Sequence, residues 1–198
     1  MGAAGYRRGS TVKATECAVP GVYLLEPEVH GDERGFFLEF YNARDFAALG
    51  VDRHFVQDNH SRSRRGVLRG LHYQLGRPQA KVVRVILGEI FDVAVDVRRG
   101  SPTFGRIATE RLSAANKQMI FVPEGFAHGF YVMSDTVEIT YKCSDYYAPE
   151  EERGIAWNDP ALGIPWPLGR DEPILSARDR AFGTLASRPT TDLPVYRG

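Results

Sequence analysis

Apolar and polar positions alternate with a period of two over much of this chain, in short runs broken by glycine, proline, asparagine and aspartate. The pattern predicts strands over Gly21 to Pro27, Gly35 to Asn42, His54 to Asn59, Gly66 to Gln74 and Lys81 to Leu87. It predicts further strands over Ile90 to Val97, Phe104 to Leu112, Gln118 to Val122, Phe126 to Met133 and Thr136 to Ser144. Ala43 to Leu49 is a helix candidate, with Phe46 and Leu49 on one side and Gly50 as its stop. Gly88-Glu89 lies between two predicted strands and suits a two-residue hairpin turn. Beyond Asp145 the strand pattern stops, and a tail rich in proline, tryptophan and aspartate leaves room for a short helix or two. Many short strands with regular turn signals imply an all-β sandwich or barrel. No repeat or linker divides the chain, so residues 16–198 read as one domain. Residues 1–15 read as a disordered leader or a cloning remnant.

Strand parity assigns faces. Val137, Ile139, Tyr141 and Cys143 share one face of their strand, which places Tyr141 inside. Lys81 shares a face with Val83 and Val85, while Val82, Arg84 and Ile86 share the other. Both faces carry apolar residues, and the reading leans to an inward Lys81. Arg69 and His72 have opposite parity. They reach a common pocket only if the strand bulges or kinks between them, which Gly70 permits.

Charge narrows the function classes. The 25 basic and 25 acidic residues cancel, which argues against a nucleic-acid coat or an anionic-membrane binder. At 43% hydrophobic and 11% aromatic residues the chain can bury a core, so global disorder is excluded. No apolar run reaches the length of a membrane helix, and the N-terminus lacks a signal-peptide apolar region. Cys17 and Cys143 are far apart and resemble reduced cysteines of a cytoplasmic protein.

The neutral total hides a local asymmetry. Between Asp58 and Glu89 there is no acidic residue, but the stretch holds Arg62, Arg64, Arg65, Arg69, Arg77, Lys81 and Arg84. This is either a solvated basic face or, in part, an anion site, since arginine forks suit phosphate and carboxylate. His72 and His128 are candidate acid–base groups or hydrogen-bonded core histidines. As metal ligands they fit poorly. The H-x-H pair of metal-binding cupins is broken by Gln74, and no glutamate follows within ten residues. No catalytic metal and no cofactor are expected.

Five segments carry a resemblance: GVLRGLHYQ, QAKVVRVILGEIFDVAVDVRRGSPTFG, VPEGFAHGFYV, YKCSDYYAPEEERGIAWNDP and LSARDR. In this order they resemble the dTDP-4-dehydrorhamnose 3,5-epimerase family, from about Pro20 to Asp179. The resemblance implies a cupin-type jelly-roll β-barrel with a short C-terminal helical or irregular segment, and a metal-independent cytoplasmic homodimer. It implies a dTDP-linked 4-keto-6-deoxyhexose as substrate, epimerised at C3 and C5. Close relatives in antibiotic deoxysugar pathways act at one carbon only.

By the same resemblance His72 is the base, Asp179 its carboxylate partner, Tyr141 the proton donor on the opposite face and Lys81 the cation at the C4 oxygen. On its own, Asp179 in a polar tail would read as a surface residue. Arg34, Phe37, Glu39, Gln57, Asn59, Arg69 and His128 match positions lining the nucleotide and sugar pocket. Part of that lining can come from a partner subunit. Tyr147 matches the ring that stacks on thymine, and Glu152 and Arg178 match further ligands.

Overall fold

The computed structural model describes residues 11–169 and 172–197. Its strands are β1 (Val12–Glu16), β2 (Tyr23–Pro27), β3 (His30–Asp32), β4 (Gly35–Phe37), β5 (Gln57–Arg64), β6 (Leu68–Gln74) and β7 (Lys81–Leu87). They continue as β8 (Glu89–Asp96), β9 (Ile107–Ser113), β10 (Met119–Val122), β11 (Phe126–Val132), β12 (Thr136–Cys143) and β13 (Glu152–Gly154). The α-helices are α1 (Ala43–Ala48) and α2 (Ala177–Ala181). No helix among the described residues is long and apolar enough to cross a membrane.

Two antiparallel sheets face each other. One runs β1-β2-β10-β7-β12-β5 and the other β13-β6-β11-β8-β9. This is the all-β sandwich expected from the strand pattern, in the cupin-type jelly-roll form that the resemblance implies. Between the sheets lie Val83, Val85, Ile120, Val137 and Ile139 from the first, and Ile90, Ala94, Leu112, Phe130 and Val132 from the second. The outer face of the first sheet is covered by α1 through Phe46, together with Val51. Asn42 caps that helix by accepting a hydrogen bond from the Arg44 backbone N–H. The outer face of the second sheet, with Leu71, Tyr73, Val93 and Val95, is covered by the tail through Ile155, Leu162, Leu185 and Leu193.

Several elements differ from the sequence reading. Gly88 does not close a hairpin: β7 and β8 belong to different sheets. Its φ of +80° turns the chain from one layer to the other, a use of glycine that a local dipeptide cannot distinguish from a tight turn. Strand β1 begins at Val12, inside the stretch expected to be a disordered leader, because Val12 is buried and the strand pairs along β2. Residues 1–10 lie outside the described residues. The strand expected over Gly35 to Asn42 shrinks to β4, paired only with β3 in an exposed hairpin. Strands do not stop at Asp145: β13 adds to the edge of β6.

Candidate active site

A cavity of about 390 Å³ is lined by residues of both sheets. Its walls hold Gln57, Asn59, Arg69, His72, Lys81, His128, Tyr141, Tyr147, Glu152, Arg178 and Asp179, eleven of the expected site residues. His72 stands on β6 and Tyr141 on β12, so they approach the cavity from opposite sheets.

A bulge resolves the parity conflict between Arg69 and His72. His72 pairs with His128, and Arg69 pairs with Phe130, so β6 spends three steps where β11 spends two. Since His128 and Phe130 both point inward, so do Arg69 and His72. Gly70 makes this possible, with a φ of +116°. A Cβ on it would sit 2.5 Å from the Gly129 Cα. Arg69 is steadied by donating from Nε to Ser63 Oγ at 3.1 Å.

His72 lies between two carboxylates. Its Nε2 is 2.5 Å from Asp179 Oδ1, and its Nδ1 is 3.7 Å from Glu152 Oε1. Asp179 enters on α2, where Ser176 accepts a hydrogen bond from the Asp179 backbone N–H and fixes the helix start. Burial alone would raise the Asp179 pKa. The hydrogen bond and charge of His72, with smaller help from Ser176 and Arg178, hold it below the usual carboxylate value instead. Asp179 is therefore an anion at neutral pH. With Nε2–H donated to it, the lone pair of His72 resides on Nδ1.

Glu152 gathers three further contacts. It accepts from the Tyr147 hydroxyl at 2.6 Å and from Arg178 Nη1 and Nη2 at 2.6 and 3.0 Å. The loop carrying Tyr147 is anchored by two glutamines. Gln57 accepts from the Tyr147 N–H, and buried Gln74 accepts from the Ala148 N–H while donating to the Tyr146 carbonyl.

On the opposite sheet, Tyr141 shares the inner face with Val137 and Ile139 and packs on the central core. Burial raises its pKa, and Cys143 and Glu152 add to the rise against Arg69. The phenol is thus a neutral proton donor at physiological pH. Lys81 lies beside it, in register with Cys143. Burial pushes its pKa down, against the pull of Cys143, Glu152 and Asp92. The Lys81 side-chain nitrogen makes no hydrogen bond or ion pair among the described residues, so it is open to a ligand oxygen.

Sequence reasoning missed Asp92. It is fully buried on β8, and both its oxygens lie 2.9 Å from His128 Nε2. The signal was present: Asp92 shares the inward face of its strand with Ile90 and Ala94, a position where a carboxylate requires a partner. Gln74 was likewise noticed only as the residue that breaks a metal motif.

Three expected pocket residues lie outside this cavity. Arg34 and Phe37 sit on the exposed β3–β4 hairpin, where Arg34 Nε pairs with Asp32 at 3.1 Å and Phe37 is 62% exposed. Glu39 accepts from Thr11 Oγ1 and Asn42 Nδ2. The hairpin is bonded only to itself in the sheet network, and neither it nor Glu39 lines the cavity. The basic stretch is likewise divided. Arg69 and Lys81 enter the cavity, while Arg62, Arg65 and Arg77 pair with Glu138, Asp135 and Asp145.

Comparison with known proteins gives a consistent answer. The chain is 61% identical over 170 residues to a dTDP-4-dehydrorhamnose 3,5-epimerase of Pseudomonas aeruginosa, an alignment covering 85% of this chain and 93% of that one. A crystal structure of dTDP-6-deoxy-D-glucose-3,5-epimerase from Legionella pneumophila, in complex with dTDP-4-keto-L-rhamnose, superposes with a TM-score of 0.92 at 47% identity. That match covers 94% of this chain and all of the other. A 3'-monoepimerase from Streptomyces bikiniensis, bound to dTDP-quinovose, is also similar, with a TM-score of 0.85 at 38% identity over 91% of this chain and 92% of that one. The family model for dTDP-4-dehydrorhamnose 3,5-epimerase matches residues 16–187. The chain belongs to the dTDP-4-dehydrorhamnose 3,5-epimerase family.

Proposed function

We propose that the protein epimerises dTDP-4-dehydro-6-deoxy-D-glucose at C3 and C5 to dTDP-4-dehydro-L-rhamnose. The observation that carries this reading is the opposition of His72 and Tyr141 across one cavity, with the unpaired Lys81 ammonium beside the phenol. A 4-keto group acidifies the protons on both neighbouring carbons, because either carbanion delocalises onto the C4 oxygen as an enolate. His72 Nδ1 takes the proton from one face of the sugar, and the imidazolium that forms is stabilised by Asp179. Lys81 neutralises the enolate oxygen, and His128, held by Asp92, lines the sugar pocket on the facing sheet. Tyr141 delivers a proton from the other face, which inverts the carbon. Exchange with solvent returns the proton to Tyr141 and removes it from His72, so the cycle needs no cofactor.

Recognition falls to the mouth of the cavity. Tyr147 offers a half-exposed ring for the thymine, and Arg69 and Arg178 offer forks for the diphosphate. Arg34, Phe37 and Glu39 complete the nucleotide pocket of a partner subunit in a homodimer. The exposed aromatic hairpin, which does not line its own chain's cavity, supports that role. The two widely separated free cysteines are in keeping with a cytoplasmic enzyme.

The test is turnover of dTDP-4-dehydro-6-deoxy-D-glucose in deuterium oxide, followed by NMR. Deuterium at both C3 and C5 is expected. Incorporation confined to one carbon would replace the proposal with a single-carbon epimerase, the activity named for the Streptomyces relative.

A further inference from the structure

Helix α2 and the residue that ends it present two side chains to His72, not one. Asp179 lies within the helix, and Phe182, its C-cap, leaves it with extended backbone at ψ 135°. Asp179 holds Nε2, while the Phe182 ring meets the imidazole edge to face at a centroid distance of 5.7 Å and an angle of 72°. Behind it, the Arg188 guanidinium lies 5.4 Å from the Phe182 centroid. The neighbouring strand is cut to admit the ring. Gly154 on β13 is the register partner of His72, and a Cβ there would lie 2.3 Å from Phe182 Cε2.

We infer that Phe182 is a positioning residue for the base. It fixes the imidazole plane so that Nε2–H stays on Asp179 and Nδ1 faces the sugar, and it keeps water from the side of that hydrogen bond. The ring offers no hydrogen-bonding group and does not line the cavity, so its effect reaches the substrate only through His72. A small error in the direction of the base costs rate and not affinity.

This inference rests on His72 being the base, so His72→Asn is measured first. If that variant still exchanges deuterium at wild-type rate, the assignment of the base fails and Phe182 falls with it. With the base established, Phe182→Ala is expected to lower kcat about 10- to 100-fold while KM and dTDP affinity stay unchanged. Exchange and inversion should fall together, since the abstraction step is impaired. The His72 N–H proton, deshielded by its short bond to Asp179, should broaden through solvent exchange. Gly154→Ala, which crowds the ring out of place, should lower kcat in the same way. The double variant Gly154→Ala/Phe182→Ala should be no slower than Phe182→Ala alone, because both act on one contact. Phe182→Leu keeps apolar volume without the ring and serves as the stable variant, with a several-fold loss expected at a wild-type Tm. Undiminished kcat in Phe182→Leu and Phe182→Ala, a loss carried by KM, or additive losses in the double variant would overturn the inference.

Discussion

His72 and Asp179 are 107 positions apart in the chain and 2.5 Å apart in space. The carboxylate is buried, yet its pKa is held down by the imidazole it faces, and in the proposed mechanism the pair carries a positive charge on His72 during turnover. Asp179→Asn keeps the shape and removes the charge. Loss of kcat by about 10³- to 10⁴-fold is expected, as for other orienting carboxylates, with dTDP affinity retained. Steady-state kinetics and calorimetry with dTDP check this. A loss of affinity matching the loss of rate would show that Asp179 holds the ligand and not the base.

Tyr141 divides the reaction into two observable halves. Burial keeps its phenol protonated, and it stands on the sheet opposite His72. Tyr141→Phe removes the donor but leaves the base intact. Deuterium should still enter the substrate carbon with retained configuration, while net inversion falls by about 10²-fold or more. NMR of the sugar in deuterium oxide reads both. Equal loss of exchange and inversion would rule out the donor role.

The inward position of Tyr141 was legible because a strand has a strict period of two and its neighbour Ile139 marks the core side. Parity left Lys81 only a lean, because both faces of its strand carry buried apolar residues. Arg69 and His72 were legible as a conflict, and Gly70 as the means of its resolution. Asp179 was not legible without the resemblance, since nothing in SARDR reports that a five-residue helix will fold back onto β6. Gly88 misled for the opposite reason: a glycine with positive φ serves a hairpin and a change of sheet equally well. β1 and β13 were missed because each is an edge strand with charged residues on its open side, which weakens the alternation.

In the proposed reaction Lys81 sets the alkaline limit. Its ammonium must be charged to hold the enolate oxygen, and burial lowers its pKa from the ordinary lysine value. Activity is therefore present while Lys81 is protonated and is lost as pH rises through that lowered pKa. The alkaline limb should begin below the ~10.4 of a free lysine. Lys81→Met should reduce kcat about 10²- to 10³-fold, as loss of an oxyanion donor does elsewhere. A kcat profile measured from pH 6 to 10 tests the first point, and an alkaline limb unchanged in residual Lys81→Met activity would assign the limb to another group.

Asp96 makes the fold acid-sensitive at a place outside the cavity. It is fully buried, and it accepts from Arg98 Nε at 2.9 Å, Ser101 Oγ at 2.5 Å and Thr103 Oγ1 at 2.6 Å. Arg98 in turn lies over the rings of Phe126 and Tyr196, which ties the end of the chain to the barrel. Burial would raise the Asp96 pKa, but the bonds from Arg98, Ser101 and Thr103 bring it below the ordinary aspartate value instead. A depressed folded pKa contributes stability above the unfolded pKa and loses it as pH falls through the folded one. Asp96→Asn leaves Arg98 without its counter-ion and should cost about 3–5 kcal/mol at pH 7, as for other broken buried pairs. Urea unfolding at pH 7 and at successively lower pH, down past 3.8, should show the gap between wild type and variant narrowing as the wild-type carboxylate is protonated. A gap independent of pH would mean that the network stabilises through packing and neutral hydrogen bonds, without the Asp96 charge.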